Sequence, residues 1–305
     1  MKPRPSSNRF GSIHLKQIHL SQSFTTAIVD FDIGTATERD IAAIRELMYS
    51  RKVVALKNQP INRDAFLDFA RRFGEPEQFR LKNYHDPDYP DILVIDNRNG
   101  GTTGTSVGAR KIGNMWHSDS SYLIEPLPLT FLHAQRLPDG EGRGDTLFVD
   151  MQEALRTLPA HLRARIEGRQ AKHDVRWTYK VKQSDLGESV QEIFQRLATS
   201  FPAISHPTIV RHGHTGQEAL YLSPGYTTRI EGYSDEDSRA LLDEIFVHVL
   251  QPKHIFAYHW EANDLLIWDN RSVIHCATDL PRDAERVMHR ISINDDGFFS
   301  TREGR

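Results

Sequence analysis

Two short motifs, far apart in the sequence, constrain this chain more than any other feature. They are Trp116-His117-Ser118-Asp119 and Trp268-Asp269-Asn270-Arg271, and the second runs into His275. Side chains two apart on a strand leave the same face, so a strand here would direct His117 and Asp119 to one site. With His275 they supply two imidazoles and one carboxylate, a set that leaves open positions on a metal and is typical of non-haem Fe(II). The motifs therefore predict a metal site.

The bulk composition excludes several classes of protein. The chain has 305 residues, enough for one large domain or two, and is 38% hydrophobic and 26% charged, as in soluble globular proteins. A net charge of −3 provides no excess of positive charge for nucleic acid or a membrane surface. No apolar run approaches the roughly 18 residues that predict a transmembrane helix. The single cysteine, Cys276, excludes an intrachain disulfide and fits a cytoplasmic setting.

Residues 1–16 are polar, lack the apolar stretch of a secretory signal, and are expected to form a flexible N-terminal tail. We expect a single domain over 17–305. The range 97–115 is rich in glycine and precedes the first motif, which favours a lid loop over the active site. The range 151–200 is expected to be a helical insert.

Hydrophobic periodicity predicts many short strands and a few helices. Strands are predicted at 53–56, 92–95, 208–212, 219–223, 254–259, 265–268 and 286–293. Helices are predicted at 37–52, 64–73, 151–170, 186–199 and 235–250, and Thr37 with Asp40 resembles a capping box. This pattern is typical of a mostly β fold with α decoration, and it predicts a jelly roll.

Arg286 and Arg290 are separated by an even number of residues, so on a strand they point to one face. If that face lines a barrel, two buried guanidinium groups require an anionic partner, and their planar fork matches a carboxylate. If the face is solvated, both are ordinary surface charges. Thr146, after Gly144-Asp145, could hold the same anion through its hydroxyl or simply mark a strand end.

These motifs resemble the taurine dioxygenase and dichlorophenoxyacetate dioxygenase (TauD/TfdA) superfamily of Fe(II)/2-oxoglutarate-dependent oxygenases. The similarity runs from roughly residue 28 to residue 293 and is carried by the segments 116–122, 144–146, 268–271, His275, Arg286 and Arg290. It implies a double-stranded β-helix core, a cupin-like jelly roll. It further implies that His117, Asp119 and His275 bind iron, and that Thr146 with one or both of the arginines binds 2-oxoglutarate. Trp268 is expected beside that co-substrate.

The resemblance also implies the reaction. Fe(II), 2-oxoglutarate and O2 would be required, 2-oxoglutarate would become succinate and CO2, and a hydrogen would be abstracted from the substrate. The expected partner is a small anionic organic substrate that carries a carboxylate: an N-carboxymethyl amino acid, an amino acid derivative or an aryloxyalkanoate. Neither nucleic acid nor membrane is expected as a partner, and a homo-oligomer stays open.

The middle of the chain is similar to a second branch of the superfamily, the isonitrile-forming oxidative decarboxylases of N-carboxymethyl β-amino acids. Tyr84, Arg143 and Lys180 stand at the positions where that branch holds the substrate carboxylates, and each could equally be a surface residue. Arg80 and Lys82 add positive charge nearby. The chain departs from the branch at Phe79, Arg80, Ser120 and Asp279.

Two other classes stay open at this stage. A Zn(II)-dependent hydrolase or isomerase could use the same three ligands on a cupin-like barrel to activate water. It would need neither paired arginines nor 2-oxoglutarate. A binding protein without activity could also keep the barrel, although all three ligand types are present.

Overall fold

The computed structural model describes residues 15–78, 85–97, 113–140, 144–179, 185–281, 284–295 and 297–298. Strands dominate this part of the chain. They are β1 (Lys16–His19), β2 (Thr25–Val29), β3 (Val53–Leu56), β4 (Glu75–Glu77), β5 (Leu93–Asp96), β6 (Leu129–Arg136), β7 (Thr146–Asp150), β8 (Gln170–His173), β9 (Ile204–Pro207), β10 (Ile209–Arg211), β11 (Glu218–Leu220), β12 (Thr227–Ile230), β13 (Ile255–Tyr258), β14 (Leu265–Asp269), β15 (Val273–Ala277) and β16 (Val287–Asn294).

Helices decorate this framework. The α-helices are α1 (Glu38–Arg51), α2 (Arg63–Arg71), α3 (Met151–Arg156), α4 (Ala160–Ile166), α5 (Val190–Ser200) and α6 (Asp235–Val249), and short 3-10 turns cover Ile33–Thr35, Val175–Thr178 and Pro252–His254. The capping box predicted for α1 is present, with Thr37 accepting from Asp40 N–H and Asp40 accepting from Thr37 N–H. None of the described helices combines the length and apolar character needed to cross a membrane.

The largest sheet has the strand order β1-β2-β3-β14-β6-β16-β4, and β5 also pairs with β16. Its strands alternate between two cores. Phe131, Ile267 and Ile291 face α1 and α2, whereas Trp268 and Met288 belong to a separate cluster on the opposite face. That opposite face is the interior of the fold.

A smaller sheet, β13-β7-β15, covers this interior face. Phe148 of β7 and Trp268 of β14 belong to one buried cluster, and their rings meet at 5.6 Å. Two facing sheets with a shared apolar core, antiparallel except for the β2–β3 pair of the larger one, are the arrangement of a double-stranded β-helix. Side chains that point inward from both sheets therefore share one space. Because side chains alternate along a strand, every second residue of these strands points into it.

The range 151–200 differs from a purely helical insert. The helix predicted at 151–170 is wrong as one element, because it is broken into α3 and α4 by Pro159, which cannot continue a helix and lies at the N-cap of α4. Strand β8 then pairs with β9 and β12 before α5 begins. In α5 the box Ser189/Glu192 sets the start at Val190, later than predicted. The division into tail, domain and insert stays a prediction, and residues 1–14 of the tail lie outside the described residues.

Candidate active site

The two motifs meet through their backbones. His117 N–H donates to the carbonyl of His275 at 3.0 Å, and His275 N–H donates back at 2.8 Å. His275 lies on β15, where it pairs with Phe148 of β7 and shares its inward direction. Gly225 N–H holds the carbonyl of Trp116 at 2.9 Å, and a Cβ on Gly225 would come within 3.3 Å of His117 Cβ. The small glycine thus lets the His117 segment lie close against the turn that precedes β12.

The strand expected to carry both His117 and Asp119 is not formed. His117 takes part in a single antiparallel bridge with His275, and Asp119 begins a turn. The next residue, Ser120, has a φ of 59°, which no strand accommodates. The two side chains therefore converge because the chain turns sharply after one bridge, and not because they alternate along a strand.

The three predicted ligands lie together in the interior. One ligand atom from each of His117, Asp119 and His275 lies within 4.8 Å of the others. His117 Nε2 is 3.5 Å from Asp119 Oδ1, and His275 Nε2 is 3.7 Å from Asp119 Oδ2. All three side chains are buried. These spacings suit atoms that surround one ion.

Protonation also suits a metal. His117 Nδ1 is 2.6 Å from the carbonyl of Met115, so Nδ1 donates there and Nε2 is the nitrogen that faces Asp119. Burial, and then the neighbouring His117, lower the pKa of His275 to about 3, so its ring is neutral. Burial opposes ionisation of Asp119, but Arg290 and the two histidines hold the pKa of that carboxyl well below its usual range. A neutral imidazole at His275 and an ionised carboxylate at Asp119 fit Fe(II), with the His117 ring as the third ligand.

Further groups fix the Asp119 carboxylate. Thr130 Oγ1 donates to Asp119 Oδ2 at 2.8 Å, and Arg290 Nη2 lies 3.1 Å from Oδ1. Thr130 lies on β6 and Arg290 on β16, and both point inward by strand alternation. The main-chain N–H of Asp119 donates to Asn270 Oδ1 at 3.3 Å. The carboxylate is therefore held by one donor on each oxygen.

Arg286 lies at a different point of the interior. It precedes the first residue of β16 and exchanges main-chain and side-chain hydrogen bonds with Asn97. Its Nη1 donates to the carbonyl of Gly144 at 2.6 Å, two residues before Thr146. Gly144 has a φ of 79°, and a Cβ there would stand 2.4 Å from that Nη1, so only glycine leaves room.

Arg286 is buried, yet among the described residues no carboxylate lies within ion-pair distance of it. Burial lowers its pKa to about 10, so it remains charged at neutral pH. Thr146 is buried as well, and its Oγ1 accepts a hydrogen bond from Trp260 Nε1 at 3.0 Å, which leaves the hydroxyl proton to donate. A buried cation that bonds the backbone two residues before a buried hydroxyl donor is suited to a carboxylate.

Trp268 packs on His275, one of the three predicted ligands. Its ring lies 4.8 Å from the ring of His275, and its Nε1 donates to Asn270 Oδ1 at 2.9 Å. The described contacts therefore give it a role in orienting His275. Its predicted place beside the co-substrate stays a prediction.

An aromatic wall borders the triad on the side of His117. The ring of Tyr226 meets His117 edge-on at 5.8 Å, and Tyr122 packs on Tyr226 at 4.9 Å. Among the described residues the Tyr226 hydroxyl makes no hydrogen bond, and burial raises the pKa of this phenol well above its usual value. Tyr226 therefore presents an open polar group beside the triad.

Several predicted site residues lie outside the described residues. They are Arg80, Lys82, Tyr84, Arg143 and Lys180, together with 98–112 of the expected lid. Their substrate and lid roles stay predictions.

Three site residues were missed from the sequence: Thr130, Asn270 and Tyr226. Asn270 belongs to the second motif, and its position directly after Trp268-Asp269 was a usable signal. Thr130 lies in the apolar run that forms β6, which was not recognised as a strand. Its place on the inward face could have been read only with that strand assigned.

A family model described as "Taurine catabolism dioxygenase TauD, TfdA family" matches residues 16–292. The chain belongs to this family. It is an α-ketoglutarate-dependent dioxygenase, an oxidoreductase, as the sequence predicts.

Named relatives agree with the family. The chain is 29% identical over 283 residues to an α-ketoglutarate-dependent 2,4-dichlorophenoxyacetate dioxygenase of Cupriavidus pinatubonensis, with 90% of this chain and 95% of that protein covered. It is 31% identical over 242 residues to a pentalenolactone F synthase of Streptomyces arenae, with 76% and 79% covered. The crystal structure of AAD-2 in complex with Mn(II) and N-oxalylglycine matches with a TM-score of 0.74 at 22% identity, covering 92% of this chain and 97% of that one.

These likenesses confirm the predicted mostly β fold with a jelly-roll core. The predicted requirement for Fe(II), 2-oxoglutarate and O2 is also confirmed, by the family, the relatives' names and the His-Asp-His cluster. Family membership removes the support for a Zn(II) hydrolase or isomerase. The relatives act on small organic substrates, and they do not show which one this chain uses.

Proposed function

We propose that this dioxygenase oxidises a small organic substrate that carries a carboxylate, with His117, Asp119 and His275 holding the iron. The observation that carries the proposal is the set of charges around the triad. Arg290 lies 3.1 Å from the ligand carboxylate, and Arg286 is buried without an acidic partner among the described residues. Arg286 therefore lacks an anion, whereas Arg290 shares its charge with Asp119 and keeps its buried Nε without a hydrogen-bond partner among the described residues.

We assign Arg286 to 2-oxoglutarate. Its guanidinium and the free hydroxyl proton of Thr146 are near the start of β7, and both would donate to the carboxylate that is remote from the metal. The carbonyl of Gly144 fixes the guanidinium before the co-substrate arrives. Such preorganisation reduces the entropy lost on binding.

We assign Arg290 to the reaction centre and the substrate acid. It is on the inward face of β16, and its Nε is buried without a hydrogen-bond partner among the described residues. An arginine that already reaches the ligand carboxylate can attract an anion to the metal's open side and keep its oxidisable bond near the metal. The aromatic wall of Tyr226 and Tyr122 would pack on the apolar part of the substrate.

Bound iron and 2-oxoglutarate supply the oxidising power: with O2 the co-substrate becomes succinate and CO2, and a hydrogen is removed from the substrate. The chain's own groups bind, orient and exclude water. Trp268 and Phe148 enclose His275 with apolar surface, at ring distances of 4.8 and 5.9 Å. A dry site limits unproductive turnover of the co-substrate.

The substrate class follows the predictions from sequence: an N-carboxymethyl amino acid, an amino acid derivative or an aryloxyalkanoate. The branch that forms isonitriles from N-carboxymethyl β-amino acids is the alternative, and it rests on Tyr84, Arg143 and Lys180. The 2,4-dichlorophenoxyacetate dioxygenases among the relatives support the aryloxyalkanoate arm.

The test is succinate release with a panel of N-carboxymethyl amino acids, aryloxyacetates and sulfonates, each compared with 2-oxoglutarate alone. Products are identified by mass spectrometry, which distinguishes hydroxylation, ether cleavage and isonitrile formation. We expect one succinate per oxidised acid for at least one carboxylate class. His275→Ala should abolish release, and Asp235→Asn, on an exposed carboxylate, should not. Succinate release that no acid stimulates, or that only sulfonates stimulate, would refute the assignment to a carboxylate substrate.

A further inference from the structure

A chain of buried hydrogen bonds runs from the second motif to the ligand carboxylate. Asn270 Nδ2 donates to Thr130 Oγ1 at 2.9 Å, and Thr130 Oγ1 donates to Asp119 Oδ2 at 2.8 Å. We propose that Asn270 and Thr130 are positioning residues that fix the rotation of the Asp119 carboxylate toward the metal. The inference rests on the proposed role of Asp119 as an iron ligand.

We call the hydrogen bonds from Asn270 through Thr130 to Asp119 the relay. The direction of each bond follows from which atoms can donate and which can accept. A threonine hydroxyl has one proton, and an amide nitrogen donates only. Because Asn270 Nδ2 occupies a lone pair of Thr130 Oγ1, the hydroxyl proton is left for Asp119 Oδ2. The amide orientation is itself fixed, since Asn270 Oδ1 accepts from Trp268 Nε1 at 2.9 Å and from Asp119 N–H at 3.3 Å. A flipped amide would place NH2 against both of these donors.

Asn270 thereby connects three parts of the site. Its Nδ2 also donates to the carbonyl of Leu127 at 3.2 Å, and its own carbonyl accepts from Ser118 Oγ at 2.7 Å. It thus holds the turn that carries Asp119, the strand that carries Thr130, and the tryptophan that packs on His275. Asn270, Thr130 and Asp119 are all buried, so water does not compete for these bonds.

The consequence concerns the open side of the metal. A carboxylate that rotates freely can offer both oxygens and occupy a position needed by the co-substrate or O2. The hydroxyl of Thr130 engages Oδ2, and Arg290 lies against Oδ1, so the carboxylate plane is set before metal arrives. Groups that orient a metal ligand in this way commonly change metal affinity about 10–100-fold when they are removed.

The experiment compares Thr130→Val with Thr130→Ser. Valine keeps the volume and removes the hydroxyl, whereas serine keeps the hydroxyl. The readouts are the dissociation constant for Co(II), followed by the absorption spectrum of the bound ion under anaerobic conditions, and the energy of the visible band formed with Fe(II) and 2-oxoglutarate. We expect Thr130→Val to weaken metal binding about 10–100-fold and to move the band, and Thr130→Ser to stay within about threefold of wild type.

A double-mutant cycle tests whether Asn270 acts through Thr130. In an Asn270→Ala background the valine substitution should lose most of its fold-change, because the hydroxyl is no longer directed. The thermal unfolding of the metal-free variants is recorded in parallel, so that a purely structural loss, which lowers the melting temperature but leaves the spectra alone, is recognised.

The outcomes separate the two proposals. If wild type binds metal and 2-oxoglutarate but Thr130→Val has wild-type affinity and spectra, the relay is refuted and the function stands. If the effects of Thr130→Val and Asn270→Ala on metal affinity are additive, the proposal that Asn270 acts through Thr130 is refuted. If wild type itself binds neither metal nor 2-oxoglutarate, the proposed function fails and the inference fails with it.

Discussion

His117 and His275 are joined by a pair of main-chain hydrogen bonds, 3.0 Å in one direction and 2.8 Å in the other, while their rings lie 4.2 Å apart. A single β-bridge thus places two residues remote in sequence side by side and fixes their separation before any ion binds. The three candidate ligands are prearranged by the backbone, and the hydrogen bonds around Asp119 complete the arrangement. Metal binding therefore does not require these three side chains to be brought together.

Substitutions of the two arginines should raise two different KM values in steady-state kinetics. Arg286→Met removes the cation assigned to 2-oxoglutarate, and Arg290→Met removes the one assigned to the substrate acid. Loss of charge-assisted hydrogen bonds of about 1.5–3 kcal/mol predicts a rise of about 10–150-fold in the matching KM. The KM for 2-oxoglutarate should respond to Arg286 and that for the substrate to Arg290. The opposite pattern would exchange the two assignments.

Gly144→Ala should disturb the co-substrate site through Arg286. Its new Cβ would come 2.4 Å from Arg286 Nη1 and 2.7 Å from Leu280 Cδ2. Gly140→Ala is a matched control, because Gly140 has nearly the same φ, 77° against 79°, and open space around it. Both should lose about 1 kcal/mol from strain. Only Gly144→Ala should raise the KM for 2-oxoglutarate, and an equal rise in both variants would show that strain alone is responsible.

Tyr226→Phe tests the open hydroxyl beside the triad. If that hydroxyl donates to the substrate, its removal should raise the substrate KM about tenfold, as expected for one hydrogen bond of about 1.4 kcal/mol. The KM for 2-oxoglutarate should not change. Tyr233→Phe, which removes a hydroxyl bonded to the carbonyl of Arg165, serves as the control. An unchanged substrate KM would limit Tyr226 to packing on His117.

The metal-free protein should lose stability in acid through His173. Burial, and then His206, lower the pKa of His173 from 6.5 to about 3. Between these two values the ring is neutral in the folded state and protonated in the unfolded state. The contribution of His173 to the free energy of unfolding is therefore intact above about pH 6.5 and is lost as the pH falls toward 3. Neither ring nitrogen has a hydrogen bond of good geometry among the described residues, so His173→Phe removes the titration and only a weak contact with the Tyr221 backbone.

Urea unfolding at several pH values measures this effect. His173→Phe should reduce the dependence of the unfolding free energy on pH by up to about 1.4 kcal/mol per pH unit between roughly pH 6 and 4. His161→Phe, at an exposed histidine, should change the slope little. Parallel curves for wild type and His173→Phe would show that His173 is protonated in the folded state.

Much of the framework could be predicted because it is encoded locally. The capping box of Thr37 and Asp40 predicts the start of α1. The apolar run of β14 predicts a buried strand without any knowledge of its neighbours. The three candidate ligands were chosen from residue type and spacing, and the structure brings them together, while their binding of iron stays a prediction. The reason given for His117 and Asp119 was nevertheless wrong, because the bridge to β15 and the turn at Ser120 are tertiary features.

The supporting groups could not be predicted in the same way. Thr130 and Asn270 act through contacts between β6, β14 and the turn after His117, and these contacts exist only once the sheet has formed. The separate places of Arg286 and Arg290 also depend on the fold, since Arg286 precedes β16 and reaches Gly144. Sequence parity predicted that both point to one face, but it could not show which groups each arginine contacts.

The most direct test of the central claim is an anaerobic titration of the protein with Fe(II) and 2-oxoglutarate, followed by visible absorption. The account predicts a metal-to-ligand charge-transfer band that saturates at one iron per chain in wild type and in His161→Ala, and that is absent in His275→Ala. A wild-type protein without the band, or a His275→Ala variant that forms it with wild-type affinity, would contradict the assignment of the three buried ligands.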